Sequence, residues 1–516
     1  MNRTSGVLLS VTSLPSKYGI GCFDKAAYDF VDWLAKAGQK YWQILPLGAT
    51  SHAGAYDSPY QAYSAFAGNP YFISLDALVE EGVLTAKECE AANFGADPNV
   101  VDYDALYESR MPLLRKAYER SNIYRDADFQ QFCKDNFWWL DDYALFIAVK
   151  EFFGGAGWHE WPNDIRMHYG FALDYYREKL YFQVEFQKYL QFKFYEQWSK
   201  LKKYANDRHI QIVGDMPIYV SADGSDIWAQ PEMFQLDENN KATRIAGCPP
   251  DSFSADGQVW GNPLYRWDYH KATGYHWWVT RMWYSFKLYD VVRIDHFRAF
   301  DEYFSIPTDT MSAKDGRWEK GPGMELFHTL RQRLGERGVI AEDLGTMTDG
   351  VRQLVRDSGF PNMKVLQFAF DRDDVGGYND YLPHNYNNNC VVYTGTHDNA
   401  TISGWFLGLS KEDKEFVRDY LGDHHTANKW MYKQLIAVTM RSAANMCVIP
   451  VQDWLGLDNS ARMNTPGTVG VNWSWRLQSG QLTEELAEEI RTVTQRYGRV
   501  NWAALYYKEP EQETDK

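Results

Sequence analysis

Cysteine is scarce in this chain. The six present in 516 residues (Cys22, Cys89, Cys133, Cys248, Cys390, Cys447) lie far apart with no CxxC spacing, which argues against a disulfide framework and against a zinc site. Reduced, buried thiols are expected. No apolar run approaches the roughly 18 residues that cross a bilayer. The N-terminal "GVLLSV" is too short for the apolar core of a secretion signal and has no small-residue cleavage site after it. A cytoplasmic chain with no membrane partner is expected. Positive charge is also short: 53 Lys and Arg face 69 Asp and Glu, a net charge of -16 with no basic patch, which disfavours nucleic acid. There is no P-loop and no HExxH, and "GIG" at 19–21 continues as Cys22, Phe23 and Asp24 instead of completing a dinucleotide fingerprint. "DHH" at 423–425 reads as a solvated helix edge in preference to a metal pair. No cofactor and no metal are expected.

What the chain does have is aromatic surface: 16% Phe, Trp and Tyr, with 20 tryptophans and 35 tyrosines. Such rings stack on the C–H faces of sugars, but for most of them a place in a large core is the simpler assignment. Eight short apolar or β-branched runs recur at 6–10, 41–45, 210–216, 290–294, 338–342, 363–368, 391–395 and 446–451, and turns and helical patterns separate them. Helical spacing is clear in Ala27, Phe30, Val31 and Leu34 before Gly38, and again in Leu486, Ile490, Val493 and Tyr497, with Thr483 as N-cap and Gly498 as the stop. This alternation predicts an α/β fold, a (β/α)8 TIM barrel, with large and mainly helical insertions over its C-terminal face. The barrel would use residues 1–45 and 210–516. One insertion (46–209) would separate strands two and three, and another (217–289) strands three and four, its loop 246–265 covering substrate. The final "KEPEQETDK" reads as a frayed polar end.

Ionisable residues crowd the ends of three of these runs. "DVVRIDHFRAF" places Asp295 at the tip of the fourth strand with Arg293 two residues earlier on the same side, where a guanidinium favours the ionised carboxylate that a nucleophile needs. Glu342 ends the fifth in "VIAEDLG", and Asp398 follows the seventh in "TGTHDNAT". Carboxylates at three strand ends would converge on one rim of a barrel. A carboxyl pair about 5 Å apart equips a retaining glycosidase, and a wider gap implies inversion.

"RIDHFRAF", "IAEDLG" and "TGTHDN", together with "GDMPIYVSADGSDIWAQPEMF", "WGNPLY", "DSPYQAYSAFAGNPYFISLD" and "SLPSKYGIGCFD", resemble the amylomaltase family of 4-α-glucanotransferases, relatives of the α-amylases, from about residue 5 to residue 506. The resemblance implies transfer of α-1,4-glucan segments between maltooligosaccharides, starch or glycogen chains as donor and acceptor. It further implies Asp295 as nucleophile, Glu342 as general acid/base and Asp398 as the third carboxylate gripping the distorted sugar. Asp215, Arg293, His296 and His397 match positions near the donor sugar; Tyr60, Gln258, Trp260 and Asn262 match glucan-contacting loop residues; Asp371 matches the acceptor side and Asn464 a further substrate contact. The loop over the site would include Ser252 and Phe253, but Ser252 stands where the family has tyrosine, and Ala55 and Tyr56 stand where tyrosine and glycine are usual. Chain-length preference and the ratio of transfer to hydrolysis therefore do not follow from the resemblance. Two rivals remain at this stage: an α-amylase-like retaining hydrolase with water as acceptor, and a non-catalytic glucan-binding protein. The second should have lost one of the three carboxylates, and all three are present.

Overall fold

A run such as Val291–Ile294 throws its side chains alternately to opposite faces, so it is buried throughout only when one face meets a barrel interior and the other a helix layer. The computed structural model provides both. It describes residues 3–50, 57–250, 256–345, 347–372 and 379–508, so Ala55, Tyr56, Ser252, Phe253 and residues 509–516 of the polar C-terminal end lie outside the described residues. The described strands are β1 (Thr4–Leu8), β2 (Tyr41–Gln43), β3 (Gln211–Met216), β4 (Arg244–Cys248), β5 (Gln258–Pro263), β6 (Val291–Ile294), β7 (Glu302–Pro307), β8 (Arg317–Lys320), β9 (Gly338–Ala341), β10 (Asn362–Val365), β11 (Cys390–Tyr393) and β12 (Met446–Pro450).

Eight of them close a barrel in the order β1-β12-β11-β10-β9-β6-β3-β2, with every pair parallel. These are the eight runs picked from the sequence, displaced by no more than a few residues at their ends. Leu8, Val213, Ile340, Met363, Val391, Tyr393 and Val448 fill the interior as one cluster. Their strand neighbours Val7, Ile212, Val292, Val339, Val392 and Ile449 belong to the outer core shared with the helices. Period two then carries the interior face onward: Asp215 follows Val213, Arg293 follows Val291, and Glu342 follows Ile340. The strand-end ionisable groups are thus a continuation of the barrel's inner wall.

Both sequence-predicted helices are present. Lys25–Lys36 is capped by the Asp24 carboxylate, which accepts from the Ala26 N–H, and it buries Ala27, Phe30, Val31 and Leu34. Glu484–Arg496 starts at Thr483, whose hydroxyl accepts from Leu486 N–H. Between β2 and β3 the chain is helical, dominated by Ala127–Phe152 packed along Tyr181–Asp207. The second of these runs straight toward β3 and ties itself to the barrel's first helix, where Arg208 and Tyr204 both reach Asp32. Most aromatic surface is core here: Trp42, Trp158, Trp198, Trp228 and Trp278 are all fully buried.

The sequence reading assigned no second sheet, yet β5-β4-β7-β8 form one, antiparallel throughout. It draws β4 and β5 from the segment before β6 and β7 and β8 from the segment after it. The outer strand β8 is largely exposed and β5 is partly buried along most of its length, and neither alternates buried with open positions, so the period-two signal is missing there.

The barrel is closed at its opposite end by Arg499. Fully buried, its guanidinium donates to the carbonyls of Met440, Thr4, Asn445, Ser442 and Ala444, around the starts of β1 and β12. Arg499→Ala should leave those acceptors without a donor and lower stability by about 3 kcal/mol. Thermal unfolding checks this: a midpoint several degrees lower is expected, and one within a degree of wild type would contradict the assignment.

Candidate active site

Parallel pairing sets the first neighbours. In the β3–β6 register Asp215 faces Arg293, and in the β6–β9 register Arg293 faces Ile340 while Ile294 faces Ala341. The next step of the β6–β9 ladder sets Asp295 beside Glu342, and the backbone bonds that continue it are present: Glu342 N–H to Ile294 carbonyl at 3.1 Å and Phe297 N–H to Glu342 carbonyl at 2.9 Å. Adjacent strands lie about 4.8 Å apart, which sets the scale of the gap between these two residues.

From there a chain of hydrogen bonds crosses the barrel mouth. Arg293 Nη1 donates to both oxygens of Asp215 at 2.7 Å and to Asp295 Oδ1 at 3.1 Å. Tyr60 donates its hydroxyl proton to Asp215 Oδ2 at 2.7 Å, so its oxygen accepts from His397 Nε2 at 2.8 Å. The same Nε2 lies 3.3 Å from Asp398 Oδ2, and Asn464 Nδ2 donates to Asp398 Oδ1 at 2.7 Å. On the other side Glu342 accepts two backbone N–H bonds, from His296 at 2.6 Å and Leu344 at 2.7 Å. His296 takes a left-handed φ of +52°, rare for a bulky side chain, which turns the chain immediately after Asp295.

Burial and mutual charge set the protonation states. Burial lifts Glu342 to about 7, and the neighbouring Asp295 adds to the rise. Burial also lifts Asp295, to about 6, against the opposing pull of Arg293. The pair therefore loses its first proton at Asp295 and keeps the second on Glu342. Burial would by itself raise Asp398, but the charge and hydrogen bond of His397, helped by Asn464, overcome it and hold this carboxyl well below the usual range. Burial likewise pulls His397 down, yet Asp398 outweighs it and leaves the imidazole raised. His296, buried near Arg298, is lowered to about 3 and stays neutral. Asp295 and Asp398 keep 28% and 43% of their side-chain surface open although both sit deep in the protein, so a ligand can reach them. His296 Nε2 and His397 Nδ1 are buried without a partner among the described residues, which leaves two imidazole nitrogens for a ligand.

The remaining sequence-predicted residues fall into three groups. Trp260 meets His296 edge-on at 4.9 Å between ring centres, and its indole N–H donates to Gln258 Oε1 at 3.0 Å. Asn262 is buried, donating to the Val220 carbonyl and lying 3.4 Å from Gln61 Nε2. Asp371 is exposed and lines a cavity of about 670 Å³ with Lys364, Asn379 and Tyr381; the lining includes no member of the hydrogen-bonded chain. Ser252 and Phe253 lie outside the described residues. His424 of the "DHH" stretch is exposed in the bend just past the helix Lys411–Leu421, not on the helix itself, within reach of Glu415 and Asp419 on that helix.

Sequence reasoning missed Trp473 and Arg462. Trp473 packs at 5.5 Å from the Tyr60 ring and 5.9 Å from His397, with a left-handed φ of +64°. Arg462 holds the Asp398 carbonyl at 2.5 Å and the Asn464 carbonyl at 2.7 Å. The signal for Trp473 was available, an aromatic a few residues after Asn464.

The His397–Asp398 pair is directly testable. In histidine-labelled protein His397 should titrate above the usual imidazole value, and Asp398→Asn, by removing the charge that raises it, should bring it below. Nuclear magnetic resonance reads both values, and a His397 titration that ignores Asp398→Asn would contradict the geometry.

Comparison with known proteins places the chain in a family. Residues 9–483 match the family described as 4-alpha-glucanotransferase, glycoside hydrolase 77. A 4-alpha-glucanotransferase of Streptococcus pneumoniae serotype 4 is 49% identical over 505 residues, 97% of this chain and 98% of that one. One from Thermus thermophilus is 43% identical, covering 96% and 98%. Among solved structures, an amylomaltase from Streptococcus agalactiae in complex with acarbose superposes with a TM-score of 0.93 at 42% identity, covering 97% of this chain and all of the other. Amylomaltase from Corynebacterium glutamicum, at 21% identity and a TM-score of 0.76 over 97% of this chain and 75% of that one, shares the fold. By full-length likeness and by the matched family region, the chain belongs to the 4-alpha-glucanotransferases.

Proposed function

We propose that this enzyme transfers α-1,4-glucan segments between maltooligosaccharides, or starch or glycogen chains, by a retaining double displacement through Asp295, Glu342 and Asp398. The observation that supports the reading is that Asp295 and Glu342 fall on neighbouring strand ends, a spacing that suits the roughly 5–5.5 Å separation of a retaining pair better than the wider gap of an inverting one. Asp295, facing Arg293, attacks the anomeric carbon as its carboxylate. Glu342, held neutral by burial, gives its proton to the departing glycosidic oxygen. The glycosyl-enzyme formed has inverted configuration. Glu342, now ionised, takes the proton of the acceptor's 4-hydroxyl, and attack of that oxygen releases Asp295 and restores the α configuration.

Asp398, kept ionised by His397 and Asn464, accepts hydrogen bonds from hydroxyls of the sugar being distorted. The free nitrogens of His296 and His397 read neighbouring hydroxyls, and a sugar lacking one leaves a buried polar atom unpaired. Tyr60, Asp215, Gln258, Trp260 and Asn262 are proposed to shape the donor side, Asp371 the acceptor side, and the loop with Ser252 and Phe253 the cover. Action in the cytoplasm is proposed with it, in keeping with six cysteines that form no disulfide among the described residues.

Maltotriose as sole substrate tests the reaction. Glucose together with longer chains is expected, and shortening alone would favour the hydrolase reading. Asp295→Asn should cut turnover by about 10⁴–10⁶-fold with binding retained; unchanged product formation would remove the assignment. The pH profile of kcat/KM should be a narrow bell. Activity rises on the acid side as Asp295 loses its proton near pH 6, and falls on the alkaline side as Glu342 loses its own near pH 7. A profile flat from pH 5 to 8 would contradict this.

A further inference from the structure

We propose that Asp453 is a positioning residue, its buried carboxyl clipping together the two ends of the loop that carries His397 and Asp398. The inference rests on the roles given to that loop above. β11 ends at Tyr393, and the next helix begins at Ile402 with Thr401 as its N-cap. Asp453 comes from a different part of the chain, the short helix Val451–Trp454 that follows β12, the strand beside β11. One oxygen, Oδ2, lies 2.5 Å from the hydroxyl of Thr394, the first residue after the strand; the other, Oδ1, accepts the N–H of Ile402, the first residue of the helix, at 2.8 Å. A single carboxyl thus spans the start and finish of the segment 394–402.

Asp453 is 1% exposed and has no ion-pair partner among the described residues, and burial lifts it to about 7 against the lowering effect of its bonds to Thr394 and Ile402. A core position next to a barrel strand would be filled more simply by an apolar residue, so a carboxyl there calls for a use. Its hydrogen bonds go to the loop ends and to nothing else that the structure describes. Between those ends the loop is braced from within and from its flanks. Asn399 accepts from Thr396 N–H at 2.8 Å, Gln367 donates to the Ala400 carbonyl at 2.8 Å, and Arg462 holds the Asp398 carbonyl. These local braces set the shape of the loop but do not fix it to the barrel at both ends. Asp453 does, and so it sets where Asp398 stands relative to Asp295 on the far side of the mouth.

Positioning of this kind acts on the chemical step. A displacement of about 1 Å in a group that grips the transition state costs up to about 100-fold in rate with little change in ground-state binding. Asp453→Ala should therefore lower kcat for maltotriose by about 30- to 100-fold with KM within about threefold of wild type, measured where thermal unfolding shows the variant folded. Asp453→Asn keeps an acceptor for Ile402 and a donor for the Thr394 hydroxyl, and should recover kcat to within about fivefold of wild type. A folded Asp453→Ala with wild-type kcat would overturn the proposal. So would an Asn variant as slow as the Ala variant, because charge and not the clip would then matter. If Asp453→Ala does not fold, Thr394→Val removes one arm of the clip, and about a tenfold fall in kcat at unchanged KM is expected; an unchanged kcat would overturn the proposal equally. The wild-type control separates this from the reading beneath it. Should wild type only shorten maltotriose, the transferase reading fails, and the clip is judged on the hydrolytic rate, which uses the same loop.

Discussion

The site is organised around one buried cation. Arg293 stands inside the barrel, 3% exposed at its side chain, and a single nitrogen, Nη1, bonds both Asp215 and Asp295. Burial disfavours every charge in this region, and the two carboxylates more than offset that cost for the guanidinium. The dependence runs both ways, since removing one member would leave an uncompensated charge in the interior. Arg293 is also the reason two neighbouring carboxyls can hold different protonation states. It bonds Asp295 directly and not Glu342, whose two backbone N–H donors only partly offset the lift from burial and from the Asp295 charge, and this difference separates the proposed nucleophile from the proposed acid.

From Arg293 the order spreads by hydrogen bonds across the barrel mouth. Asp215 passes it to Tyr60, Tyr60 to His397, and His397 to Asp398. The first link joins two strands, the second joins β3 to the loop of Tyr60, and the rest run between and within loops, so the rigid barrel fixes the loops and the loops complete the site. The two loop aromatics Tyr60 and Trp473 pack against the His397 ring and limit how far it can turn.

Much of this could be seen in the sequence, for identifiable reasons. Barrel strands buried on both faces are short apolar runs, and period two carries their inner face out to the rim, so Asp215, Arg293, Asp295 and Glu342 were readable from their parity with Val213, Val291 and Ile340. Asp398 was readable as a carboxylate just past a strand. Other features follow no such period. β8 is largely open to solvent, β5 is partly buried, and neither carries an alternation, which hid the second sheet. Arg462, Trp473 and Asp453 act through contacts between segments well separated in the chain, and no local pattern announces a partner 59 residues away, as Asp453 is from Thr394. The aromatic content pointed toward sugar, yet most of the large rings are in the core; the few that matter to the site are those on loops over the barrel mouth.

The account's central claim is that Asp295, ionised beside Arg293, forms a bond to the sugar while Glu342 supplies and removes the proton. The most direct test is the mass of the Glu342→Gln variant after exposure to an α-maltosyl fluoride. Fluoride leaves without an acid, so the first step should proceed, while the second, lacking its base, should stall. The predicted result is a protein heavier by one maltosyl unit, with the adduct mapped to Asp295. An adduct on another residue, or turnover of the fluoride by that variant at the wild-type rate with no adduct, would contradict the account.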